Sequence, residues 1–133
     1  MATLDFADPA LLAAFPFPHA LALTHRVDAS GLETTLTLMP TGDVPVPIAF
    51  GFHPYLAPGG DRRLWEIDLP VAARAAFGPG YPCAQVYAPA DAEVVCFEPM
   101  TAPTDALASG DGLRFAAPGD TFTAAFRIDV TVD

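Results

Sequence analysis

Along most of the chain, apolar and polar side chains alternate with a period of two, the pattern of strands that bury one face. The longest such stretch puts Phe122, Ala124, Phe126, Ile128, Val130 and Val132 on one side, interleaved with Thr121, Thr123, Arg127, Asp129 and Thr131. Upstream, Leu21, Leu23, His25 and Val27 share a face, the turn formers Asp28-Ala29-Ser30-Gly31 follow, and a second run aligns Leu32, Leu36 and Leu38. These signals predict a β-hairpin, with His25 as a core histidine. Over residues 46–53 the alternation sorts Val46, Ile48, Phe50 and Phe52 onto one face and Pro47, Ala49, Gly51 and His53 onto the other. The second face is small enough for something to approach the backbone. Shorter strands are predicted over 64–69, 83–88 and 93–98, each bounded by proline or glycine. Helical signals are confined to one turn near 104–107, too short to alter the fold class. The predicted fold is all-β, a sandwich of mostly antiparallel strands.

Composition narrows the classes. The 133 residues are 52% hydrophobic and 17% charged, with mean hydropathy +0.35, which predicts one folded domain over 1–133 with a single core. Fifteen prolines and ten glycines suit short elements and tight turns. Six arginines, no lysine and sixteen acidic residues give a net charge of −10, which disfavours nucleic acid and anionic membrane surfaces as partners. Pro16, Pro18 and His19 interrupt the apolar stretch over 10–23, so neither a signal peptide nor a membrane span is expected. Cys83 and Cys96 lack C-x-x-C spacing, which indicates no disulfide framework and no zinc site and fits a reducing cytoplasm.

Two residues carry candidate chemistry. His53 ends a predicted strand beside Ala49 and Gly51, a setting that suits a pocket wall; the alternative is a histidine satisfied locally at a strand end. Glu98 shares a strand face with Val94 and Cys96. Apolar neighbours disfavour a charged carboxylate and so suit a general base, whereas a strand-end carboxylate turned to solvent would do nothing. Together His53 and Glu98 form a potential acid–base pair that only the fold can assemble. Gln85 alternates with Cys83 and Tyr87 and offers an amide to a hydroxyl, while Tyr55, Trp65, Tyr81 and Tyr87 supply aromatic faces of the kind that cover a sugar's C–H face. No metal-ligand spacing, nucleophile elbow or phosphate-binding loop is present.

Several segments in order resemble the aldose 1-epimerase (galactose mutarotase) family: Phe15-Pro16-Phe17-Pro18-His19, Gly51-Phe52-His53-Pro54-Tyr55, Gln85-Val86-Tyr87 and the run from Phe97-Glu98-Pro99-Met100 to Asp105-Ala106-Leu107. The resemblance continues through Ser109-Gly110-Asp111-Gly112-Leu113 and Pro118-Gly119-Asp120 into the last strand. It implies a galactose mutarotase-like supersandwich and an isomerase that interconverts the α and β anomers of free aldoses such as galactose or glucose, with no cofactor and no metal. By the same resemblance Glu98 is the base that takes the anomeric hydroxyl proton, His53 the acid that protonates the ring oxygen, and Gln85 a hydrogen-bonding partner of the sugar.

Members of that family are roughly twice this length. The chain therefore reads as a truncated, C-terminal part of the family fold, without the family's upstream Asn-Arg pair and additional histidine, and with a second gap near residues 73–77. A sandwich short of strands exposes sheet edges, which predicts self-association and a more open pocket. The alternatives to a working epimerase are a carbohydrate-binding module without turnover and an inactive remnant.

Overall fold

The hairpin predicted from the alternation is the spine of the fold. In this computed structural model, which describes residues 1–65, 78 and 80–129, nine strands run in chain order. They are β1 (Ala2–Phe6), β2 (His19–Val27), β3 (Gly31–Pro40), β4 (Val46–Ile48), β5 (Tyr55–Leu56), β6 (Cys83–Tyr87), β7 (Val95–Met100), β8 (Arg114–Ala116) and β9 (Phe122–Asp129). They form three antiparallel sheets, ordered β1-β2-β3-β9, β4-β8 and β5-β7-β6.

Register follows from the apolar pattern. Leu21 pairs with Leu38 and Leu23 with Leu36 across the hairpin, and Leu38 and Leu36 then face Phe122 and Ala124 on β9, so one face of the four-stranded sheet is apolar. The turn is closed by Asp28, whose carboxylate accepts from Ser30 N, Ser30 Oγ and Gly31 N at 2.9, 2.9 and 3.0 Å. Arg127, reaching across from β9 at 2.8 Å, and these turn donors hold that carboxyl well below the usual range.

The apolar face meets the other two sheets in two clusters. Leu38 packs with Val46, Ile48 and Ala116 of β4 and β8. Ala124 and Phe126 pack with Tyr81, against which Phe52 and Phe97 also close. Phe50 belongs to both clusters. The predicted inward face Val46, Ile48, Phe50 and Phe52 is thus the seam between the sheets. Tyr81 is fully buried, and its burial raises the phenol above its ordinary range.

Several expectations need correction. His25 is exposed, not core: it lies toward the hairpin tip, where Val27 is also exposed, and its Nδ1 sits 3.0 Å from Thr34 Oγ1 on the paired strand. Leu64 does not open a strand but closes the 3-10 turn Arg62–Leu64, because Asp61 accepts from Arg63 N at 3.0 Å and caps it. The rest of that predicted strand, the proposed gap near 73–77, Val130 and Val132 lie outside the described residues. A helix at Pro9–Ala14 was not predicted; Asp8 caps it by accepting from Ala10 N at 2.7 Å, with proline in the first turn. The predicted turn near 104–107 is a one-turn helix over Ala106–Ser109. Among the described residues no helix is long and apolar enough to cross a membrane.

Candidate functional site

The site is built where the chain changes partners. Residues 46–48 pair with β8, but from Phe50 onward the same run leans on β7: Phe52 N donates to Pro99 O at 3.1 Å, Thr101 N to Phe50 O at 2.9 Å, and Gly51 bridges Met100. Thr101 is fully buried and locks this crossing, its Oγ1 accepting from Phe50 N at 2.9 Å and lying within donating distance of the Ile48 and Phe50 carbonyls. Gly51 is required by the closeness of the approach, since a Cβ there would lie 2.8 Å from Pro99 O. The room expected around Ala49 and Gly51 lets the β7 backbone come close at Gly51, and Ala49, Gly51 and His53 all line the same cavity.

Strand alternation then arranges the chemistry. On β7, Phe97 turns toward the core cluster, so Cys96, Glu98 and Met100 turn the other way. Gln85 is the cross-strand partner of Glu98, and Tyr55 and Tyr87 both pair with Cys96 from opposite sides. His53, between the Gly51 bridge and Tyr55, falls beside Glu98, with Nε2 3.1 Å from Glu98 Oε1. The row His53, Glu98, Gln85 therefore runs across the sheet, next to the row Tyr55, Cys96, Tyr87. The Glu98 side chain retains 16% exposure and that of His53 46%. Burial first, and the Glu98 charge second, push the Cys96 thiol up, so it is a packing residue and a poor nucleophile.

His53 and Glu98 line one cavity of about 510 Å³, together with Phe52, Met100, Asp105 and Leu107. Gln85 is exposed on the flank and does not line it. The aromatic residues divide: Tyr81 is core, Trp65 is half-buried with Nε1 donating to Gly59 O at 2.7 Å, and Tyr55 and Tyr87 surround His53. Sequence reasoning missed Asp105, a non-glycine residue at φ 65° on the cavity wall. Such a conformation costs on the order of 1 kcal/mol or more and collects at functional sites; the one legible signal was its place between Pro103 and the helix start. Arg114 supports the same wall, donating to Thr101 O at 3.1 Å and Gly80 O at 2.6 Å while lying 5.0 Å over the Phe122 ring. Among the described residues no group of three or more metal-ligating side chains converges. His19, a buried histidine, lies at a separate apolar cavity, its Nδ1–H donating to Phe17 O at 2.6 Å.

No protein-family model and no curated protein matches the chain. Among solved structures, the Slr1438 protein of Synechocystis sp. superposes with a TM-score of 0.77 at 20% identity, over 98% of this chain and 61% of that one. The likeness is one of fold. This chain thus spans about three-fifths of the length of that structure.

Proposed function

We propose that the protein is an aldose 1-epimerase, an isomerase that opens and recloses the ring of a free hexose such as galactose or glucose, on a galactose mutarotase-like supersandwich. The observation that carries this reading is the 3.1 Å approach of His53 Nε2 to Glu98 Oε1 at the wall of an open cavity.

Ring opening of a hemiacetal removes the proton of the anomeric hydroxyl and delivers one to the ring oxygen. Both oxygens are bonded to the same carbon, so acid and base must sit side by side. Glu98 takes the hydroxyl proton while His53 protonates the ring oxygen; the C–O bond breaks and an open-chain aldehyde forms. Rotation about the adjacent C–C bond presents the other carbonyl face; as the ring closes, His53 takes back the proton of the attacking hydroxyl and Glu98 returns its proton to the carbonyl oxygen, which becomes the new anomeric hydroxyl. Gln85, directly across from Glu98, offers an amide to a sugar hydroxyl at the rim. Neither cofactor nor metal has a part in this chemistry. Optical rotation of freshly dissolved α-D-galactose tests the reading: faster approach to equilibrium with protein than in buffer supports it, and equal rates at high protein concentration reject it.

A second reading, a carbohydrate-binding module without turnover, is favoured by the openness of the site, with His53 half-exposed and water poorly excluded. Heat on mixing with galactose but no accelerated rotation would select it over both the epimerase and an inactive remnant. Self-association through β1, an edge of the four-stranded sheet with Leu4 half-exposed, belongs to the same account. Sedimentation as a monomer at micromolar concentration would exclude it.

A further inference from the structure

Tyr55 is a large aromatic side chain that is 63% exposed, so burial does not account for its placement. What it touches is His53: the two rings stack with centroids 4.8 Å apart and planes 21° from parallel. Tyr87 meets the same imidazole by its edge, at 5.8 Å and 68°. Both tyrosines pair with Cys96, one from β5 and one from β6, so the β7 ladder sets their positions relative to Glu98. Pro54 biases His53 toward an extended backbone, which brings the side chains of residues 53 and 55 to one face. The imidazole, nearly half-exposed, is thus held by a ring face and a ring edge where core packing is lacking. Neither tyrosine lines the cavity, so their action is on the histidine.

We propose that Tyr55 is the positioning residue of His53: its ring fixes the imidazole plane in which Nε2 faces Glu98, with Tyr87 as the lateral stop. The consequence for turnover rests on the epimerase reading; the stacking itself does not. The test uses the full chain as wild type, Tyr55→Phe and Tyr55→Leu, with His53→Asn to assign the imidazole signals by NMR. A stacked ring shields the protons above its face, so the His53 imidazole signals are expected upfield in wild type, retained in Tyr55→Phe, and moved back toward the position of a free histidine in Tyr55→Leu. On anomer exchange, Tyr55→Leu is expected to lower kcat roughly tenfold or more with KM unchanged, and Tyr55→Phe to restore it. Unshielded His53 signals in wild type, or signals that Tyr55→Leu leaves in place, overturn the proposal, and the wild-type spectrum decides even if that variant does not fold. A kcat equal to wild type in folded Tyr55→Leu also overturns it. Shielded signals that Tyr55→Leu releases, in a wild type with no exchange activity, would uphold the positioning and reject the epimerase reading alone.

Discussion

The four-stranded sheet and the three-stranded sheet obey the same alternation but use it differently. In the first, long strands pair in unbroken register, Leu21 with Leu38 and Leu36 with Ala124, and the inward face makes the core. In the second, short strands are stitched to a crossing chain by a few contacts, Thr101 with Phe50, Phe52 with Pro99 and Gly51 with Met100, and the face turned from the core carries His53, Glu98 and Gln85. The scaffold and the proposed chemistry thus fall on the two sides of one pleat: Phe97 anchors to the core while its neighbour Glu98 is presented to the cavity.

Changes on the two faces should therefore separate. Phe126→Ala empties a buried site that Tyr81 and Phe52 pack against and is expected to cost about 3–5 kcal/mol in chemical denaturation, unfolding both sheets together. Thr101→Val keeps the volume but leaves Phe50 N without its 2.9 Å acceptor. The expected cost is about 1–3 kcal/mol, with a loss of exchange activity larger than that of any scaffold variant of equal stability. The smallest effect is at the hairpin tip. Because Asp28 is held below the usual carboxylate range by Arg127 and the turn donors, its contribution is present above about pH 4 and fades as pH falls below that. Acid titration of stability should show this loss in wild type and a shallower one in Asp28→Asn.

The two regions also differed in how far they could be read from sequence. The hairpin and β9 were legible because burial of one face imposes a period of two over eight or more residues. His25 shows the limit: its alternation is correct, but periodicity does not say how far along a strand burial extends. The helix at Pro9–Ala14 and strand β8, of six and three residues, are too short for periodicity to announce. In the site, His53 and Glu98 were singled out as candidates from residue type and setting, and the Glu98 side chain keeps 16% exposure between buried Cys96 and the imidazole of His53. Their contact was not legible, because 45 residues separate them and only the crossing at Gly51 and Thr101 closes that gap. Asp105 was hidden for a different reason: its left-handed backbone belongs to the loop, and beyond its place between Pro103 and the helix start an aspartate there leaves no sequence mark.

The proposed reaction requires Glu98 and His53 to act as one acid–base pair. Proton NMR of freshly dissolved α-D-galactose, followed to anomeric equilibrium with wild type, with Glu98→Gln and without protein, tests it most directly. Wild type is expected to accelerate the exchange and Glu98→Gln to run about 10²–10⁴-fold slower, with the fold unchanged by circular dichroism. Acceleration that Glu98→Gln leaves intact would contradict it.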